Sequence, residues 1–247
     1  MDFKINKFKT LDSTSKYLFD FISENESQEG LIIVANNQPN GKGNGDNKWE
    51  SEEDKNLTFS LLLKPDFIDA EDQFSITQII SLSLLNALSK YLDSNSLRVK
   101  WPNDIYFSDK KLGGILIQNT IKGSKISNSV VGIGINVNQE KFISTAPNPV
   151  SIIQITNETV DRESLLKEIL NDINDYYSRL MLFPSNSWLE KQYLEKLFQI
   201  NELCSYKDKT GVFEGEIKGI DNFGRLIIEK KGGKQEKYGF KEVEFIF

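Results

Sequence analysis

Four segments of the chain carry residue types and spacings that could do chemistry. The first, residues 38–51, reads QPNGKGNGDNKWES, with Gly41, Gly43 and Gly45 alternating with Lys42, Asn44 and Asp46. Glycines let a backbone approach a ligand closely, and successive N–H groups in such a loop can cradle an anion. Lys42 adds charge, and Trp49 offers a surface for a flat ring. The spacing is neither that of a P-loop, G-x-x-x-x-G-K-[ST], nor that of a dinucleotide-binding turn, which opens a helix. A polar surface loop has the same composition.

The second segment is Lys100-Trp101-Pro102-Asn103-Asp104, at the end of a strand-like run. Pro102 fixes the chain path, and Asn103-Asp104 begins a turn. Asp104 or Asn103 could bind Mg²⁺ or a ligand, or could be satisfied inside the turn. In the third, residues 110–116 (KKLGGIL), Lys111 stands beside an apolar strand, and Gly113-Gly114 implies a bulge or a ligand pressed against backbone. In the fourth, residues 132–138 (GIGINVN), Gly132 and Gly134 clear one strand face on which Asn136 and Asn138 also lie. That face could floor a pocket or mark a tight crossing within the protein.

Composition narrows the chemistry. The 247 residues contain no histidine and one cysteine, Cys204. Ser-His-Asp and Cys-His catalysis, His-ligated zinc or iron and thiolate zinc are therefore excluded, as is an intramolecular disulfide. Lysine, carboxylates, hydroxyls, amides, backbone N–H groups and a hard cation remain. The net charge of −6 argues against a dedicated nucleic-acid binder, though not against small anions, since local fields matter more than the total. Arginine occurs only at Arg98, Arg162, Arg179 and Arg225, so cationic anchoring falls mainly on lysine. The N-terminus has no signal-peptide pattern, and no apolar run is long enough to span a bilayer. A soluble, cytoplasmic protein is expected.

These segments need elements to position them. Periodicity predicts an edge strand over 2–9, N-cap residues at Asp12-Ser13-Thr14, a helix over 15–23, a buried strand over 31–35 and a loop over 36–54. A strand over 56–64, stopped by Pro65, precedes a broadly apolar helix over 71–92. A strand over 97–101 and a hairpin of 105–107 with 111–121 follow, then a β-rich run over 128–138, a connection over 139–158 and helices over 161–181 and 184–196. From about residue 201 short strands recur at 203–206, 211–220, 225–230, 236–239 and 243–247, which predicts a small β-barrel appended to an α/β body.

Together the segments resemble biotin protein ligases. The resemblance rests on Leu11-Asp12-Ser13-Thr14, Gln38 with Gly41-Lys42-Gly43 and Trp49-Glu50-Ser51, Asn56-Leu57, KWPND at 100–104, KLGGIL at 111–116 and GIGIN at 132–136. Residues 215–243, with Gly224-Arg225-Leu226 and Tyr238-Gly239-Phe240, resemble the family's SH3-like barrel. The implied fold is α+β: a mixed β-sheet flanked by helices, related to class II aminoacyl-tRNA synthetases. Residues 1–198 would form the catalytic domain and 199–247 the small barrel. The implied activity is ATP-dependent formation of biotinyl-5′-AMP and transfer of biotin to a lysine of a biotin carboxyl carrier protein. Lipoate or octanoate ligation on the same fold, and a degenerate non-catalytic biotin binder, are the alternatives. With no room for a helix-turn-helix before residue 1, the ligase-only form is expected, with no DNA or membrane partner and a homodimer left open.

The resemblance also implies roles. Ser13, Thr14, Ser15 and Gln38 would hold the biotin head; Lys42, Gly43 and Asn44 would lie over biotin and the phosphates; Gly113 and Gly114 would allow close approach. Lys111 would meet the biotin carboxylate and the α-phosphate as the catalytic residue. Trp49 would pack near adenine and Asn136 on the adenine side, while Asn103 and Asp104 would border the phosphates and Mg²⁺, with no side-chain metal site assigned beyond a place near Asp104. The chain departs from the family at its loop, where Lys42 replaces arginine, Asn44 and Gly45 stand where arginine or glutamine and then arginine are common, and Asp46 stands where glycine is common. Lysine keeps the charge without the bidentate fork, which implies looser retention of the adenylate.

Overall fold

The computed structural model describes residues 1–43, 45, 47–143, 148–183, 187–221 and 223–246. Pro184, Asn222 and Phe247, where a helix start, a turn and a strand end are expected, lie outside them, as does Asp46. Seven strands form the larger sheet: β1 (Lys4–Thr10), β2 (Leu31–Asn37), β3 (Leu57–Leu63), β4 (Leu97–Lys100), β5 (Asp104–Phe107), β6 (Lys110–Lys122) and β7 (Lys125–Ile135). Their order is β1-β2-β3-β7-β6-β5-β4, parallel only between β1 and β2. The pattern of β3, LTFSLLL, explains its central place, since a strand buried along its whole length needs cover on both faces.

One face is covered by α1 (Thr14–Glu24), whose Leu18 packs on Leu31, Ile33, Leu62 and Val130. The other is covered by α2 (Phe74–Leu88), α4 (Arg162–Leu182) and α5 (Ser187–Glu195), which join Phe59, Leu61, Val131 and Ile133 in the main core. The single helix expected over 71–92 is shorter: Ala70–Asp72 is a 3₁₀ turn, and Tyr91 and Leu92 close onto the Leu88 carbonyl after the helix has ended. The connection over 139–158 holds a short helix, α3 (Ile152–Thr156), opened by a capping box between Ser151 and Gln154.

The C-terminal strands are β8 (Leu203–Asp208), β9 (Gly211–Ile220), β10 (Leu226–Lys230), β11 (Gln235–Tyr238) and β12 (Glu244–Phe245), in the order β11-β10-β9-β8-β12. Among the described residues the edge strands β11 and β12 do not pair, so the expected small barrel is an open, SH3-like sheet. β12 pairs with β8 and β11 with β10, which leaves the sheet open between them. Both sheets share one apolar core, in which Trp101, Tyr206, Ile217, Leu226 and Tyr238 take part. The Trp101 indole donates to the Gly224 carbonyl at 2.8 Å, and the Gly224 turn rests on Phe74 at the start of α2.

A charged cluster ties the C-terminal sheet together. Lys230 Nζ lies 2.9 Å from Asp208 and 2.8 Å from Glu236, and the Tyr238 hydroxyl contacts both carboxylates. Hydrogen bonds from Lys230 and Lys234 hold the Glu236 carboxyl down to about 2. Thr210 first, and Lys230 next, hold Asp208 well below the usual carboxylate range. A carboxyl depressed in the folded state stabilises it above the unfolded value, roughly 4, and that stabilisation is lost as pH falls toward the folded value. The melting temperature is therefore expected to drop between about pH 5 and pH 2, and Glu236→Gln to flatten part of the drop. An identical pH profile for the variant would remove Glu236 from this account.

Candidate active site

A cavity of about 720 Å³ opens where the N-terminus of α1 meets the glycine-bearing stretch of β6 and β7. Its floor follows from strand register. Asp104, Gly114 and Gly134 stand side by side on β5, β6 and β7, and Leu116 stands beside Gly132. Directly opposed residues of antiparallel strands share a face, so the glycines bare a patch of backbone. Trp49 fills the space above it: a Cβ on Gly134 would stand 2.5 Å from Trp49 Cε2, and one on Gly114 would stand 3.3 Å from Cζ3. The indole N–H of Trp49 is buried without a hydrogen-bond partner among the described residues.

At one end the wall is polar, buried and uncharged. Ser13 caps α1, and its Oγ lies 3.1 Å from that of Ser15. Thr14 N–H donates to Gln38 Oε1 at 2.7 Å, and Ser60 donates to the Thr14 hydroxyl at 2.8 Å. Ser13, Thr14, Ser15 and Gln38 are all buried, which in a sheet-covering helix is expected only where polar groups serve each other or a ligand.

The remaining wall is cationic. Lys42, Lys48, Lys100, Lys111 and Lys241 line the cavity, against the carboxylates Asp104 and Glu244. In an acidic chain this is a local field suited to an anion. Lys111 Nζ pairs with Asp104 Oδ1 at 2.7 Å, each side chain about a quarter exposed, at 24% and 22%. Lys100 stands over the Phe245 ring at 4.6 Å and the Tyr106 ring at 5.3 Å. Burial pushes its ammonium pKa down, Asp104 opposes the fall and Lys111 adds to it.

The structure brings Ser13, Thr14, Ser15 and Gln38 to one wall, Lys42, Gly43 and Trp49 to the roof, and Asn103, Asp104, Lys111 and Gly114 to the opposite side. Asn44 lies outside the described residues. Gly113 and Asn136 are not on the wall. Strand alternation turns Gly113 away from the face of Gly114, so that a Cβ there would meet Ile135 Cδ1 at 2.6 Å, and a bulge in β6 between Lys111 and Gly113 brings Lys111 onto the Gly114 face. The Asn136 amide donates to the Val150 carbonyl at 3.0 Å and the Lys111 carbonyl at 3.4 Å. Since Lys111 N and O pair with Asn148 and Val150, Asn136 fixes the strand from which Lys111 projects. Asn103 is likewise partly engaged, donating to the Ile115 carbonyl at 2.5 Å.

Two groups escaped sequence reasoning. Gln139, buried, accepts from Asn56 at 2.5 Å and donates to Glu50 at 3.1 Å, anchoring the glycine-rich loop where it rejoins β3. Phe240, Lys241, Val243 and Phe245 reach the cavity from the C-terminal sheet, and no local pattern announces them. Lys48 and Lys100 stood within the motifs and could have been found from their charge.

Residues 7–136 match the biotin/lipoate A/B protein ligase family, and residues 200–245 match the biotin protein ligase C terminal domain. The bifunctional ligase/repressor BirA of Escherichia coli (strain K12) is 30% identical over 227 residues, covering 90% of this chain and 68% of that protein. That of Bacillus subtilis (strain 168) is 28% identical over 238 residues, covering 92% and 70%. A biotin protein ligase from Aquifex aeolicus, solved in complex with biotin and ATP, superposes with a TM-score of 0.78 at 27% identity over 97% of each chain. The matched residues include the α1 cap, the glycine-rich loop and the Lys111 strand that build this cavity, and on that ground the chain belongs to the biotin/lipoate A/B protein ligase family.

Proposed function

We propose that this protein is a biotin protein ligase, which joins biotin to ATP and passes the biotinyl group to a lysine of a biotin carboxyl carrier protein. The observation that carries the reading is one cavity with a buried uncharged polar end, a bare glycine floor and a lysine-lined side holding the Lys111–Asp104 pair. A carboxylate and a triphosphate repel each other, and cations fixed between them lower the barrier to their meeting. The relatives named above are ligases, and the Aquifex aeolicus protein holds both biotin and ATP.

In this reading Ser13, Thr14, Ser15 and Gln38 bind the biotin head, with Lys42 and Gly43 over it. The biotin carboxylate oxygen attacks the α-phosphorus, the bond to the β-phosphate oxygen breaks, and pyrophosphate leaves with the electron pair. Lys111 stabilises the charge on the α-phosphate during that step. The carrier lysine, as free amine, then attacks the acyl carbon, AMP leaves, and the amine proton is lost. Trp49 packs near adenine and excludes water from the mixed anhydride. Gly114 leaves room for the Trp49 ring at the floor, whereas Gly113 and Asn136 act as supports of the Lys111 strand. Among the described residues no three His, Cys, Asp or Glu side chains cluster. A magnesium ion would therefore ride on the triphosphate, passing near Asp104 and Asn103 without a side-chain site of its own, and would neutralise phosphate charge.

The catalytic unit is taken as residues 1–198 and the C-terminal unit as 199–247. The boundary follows the last backbone bond to β4, from Phe198 N–H to the Val99 carbonyl. Among the described residues no helix is long and apolar enough to cross a membrane, and a cytoplasmic site of action fits a ligase that draws on ATP. The test is biotin-dependent ATP–pyrophosphate exchange without carrier, with lipoate as the control acid. Exchange with biotin and only background with lipoate is expected. Exchange with lipoate alone would move the specificity to that acid; none with either, in folded protein, would overturn the reading.

A further inference from the structure

The C-terminal sheet does more than buttress the larger one, because its last turn sends a cation to the glycine-rich loop. Lys241 has a φ of 65°, a left-handed backbone that lysine seldom adopts. Its ammonium lies over the loop: a Cβ on Gly45 would stand 2.5 Å from Lys241 Nζ and 3.1 Å from Cε. Gly45 itself has a φ of 66° and stands at the tip of a small hairpin whose stem pairs Lys42 with Lys48 and Gly43 N–H with the Asn47 carbonyl. Without a side chain at Gly45, the lysine reaches the backbone of the tip. The Phe240 ring lies 5.7 Å from the same ammonium.

We propose that Lys241 is a nucleotide-binding residue, reaching across Gly45 to the phosphates of ATP and of the acyl-adenylate. It supplies from the far end of the chain a positive charge that the loop itself carries only at Lys42 and Lys48. This rests on the cavity being the biotin and ATP site. Three facts favour phosphate as the target. Lys241 lines the same cavity as Lys42, Lys48, Lys100 and Lys111. The biotin-head end is closed by uncharged groups that satisfy one another. A glycine-rich tip flanked by an ammonium suits a phosphate oxygen, which accepts from backbone N–H and lysine together.

The experiment compares wild type, Lys241→Ala, Lys241→Asn and Lys241→Arg in biotin-dependent pyrophosphate exchange, with biotin binding measured separately by calorimetry without nucleotide. Asparagine tolerates the left-handed backbone and guards against a folding defect in the alanine variant. The KM for ATP is expected to rise about tenfold in the alanine and asparagine variants, the size of one charge-assisted contact. The dissociation constant of biotin should stay unchanged, free adenylate should escape faster, and the arginine variant should stay close to wild type. An unchanged KM for ATP in variants of an active enzyme would overturn the proposal. So would equal losses for ATP and biotin, which would make Lys241 a general prop of the loop. A wild type without exchange would overturn the reading of the cavity, and this proposal with it.

Discussion

Lys111→Ala should lower biotin-dependent pyrophosphate exchange by roughly 10²–10³-fold, the usual cost of removing a fixed charge that meets the transition state, while the melting temperature stays within a few degrees. The two halves of this expectation have different causes. For the fold, Lys111 and Asp104 form a partly exposed pair at 2.7 Å, and such pairs contribute about 0–1 kcal/mol. For catalysis the loss is compounded, because the variant leaves Asp104 without its cation and turns a neutral pair into a negative charge facing the phosphates. The double variant Lys111→Ala/Asp104→Asn should therefore recover part of the exchange lost in the single one, about tenfold if the exposed carboxylate costs what one charge contact gains. Normal turnover in Lys111→Ala would sink the assignment of that residue. A double variant no better than the single would show that Asp104 exerts no repulsion.

The second large effect is expected at the floor. Gly134→Ala places a methyl group 2.5 Å from Trp49 Cε2, 2.7 Å from Cζ2 and 2.8 Å from Nε1, and no backbone atom is among its three nearest neighbours. The strand can accept the residue, but the indole cannot keep its place. The main-chain N–H of Trp49 also closes the loop stem on the Gly41 carbonyl at 2.9 Å, so displacing the ring disturbs the roof along with the floor. Exchange activity should fall about 10²-fold, as misplacement near 1 Å in a positioned site does. Stability should fall by about 1–3 kcal/mol from overpacking. In a Trp49→Ala background the same change should cost almost no stability, since its neighbour is gone, and urea denaturation of the four proteins of the cycle measures the coupling. A full stability loss in both backgrounds would place the clash elsewhere in the sheet.

The chemistry of the site was more legible in the sequence than its outline. Alternation identified Gly132 and Gly134 as one cleared face, and β7 carries them so; which glycine of β6 stands beside Gly134 depended on register and on a bulge that no composition encodes. Alternation alone separates Gly113 from Gly114, whereas the bulge in β6 is what brings Lys111 to the face of Gly114. Asn136 has the same appearance in sequence whether its amide meets a ligand or, as here, two main-chain carbonyls. Helix α3 left a capping-box signature at Ser151 and Gln154 but is too short for periodicity to reveal. The cavity residues Phe240, Lys241, Val243, Glu244 and Phe245 are brought in by the docking of one sheet on another, a long-range event invisible to local pattern.

The hydrogen bond from Trp101 to the Gly224 carbonyl has a bearing on protein engineering. An indole just past the end of β4 finds its acceptor in the C-terminal sheet, and Phe74 of α2 finds its cover there. Chimeras that graft the C-terminal sheet of a relative onto this chain thus inherit a compatibility requirement. The donor must offer an acceptor at that turn, a backbone slim enough to admit Phe74, and side chains able to finish a binding site it did not evolve with. Seams placed by family boundaries alone would cut through this junction, and a graft that carries both partners of the contact together would keep it whole.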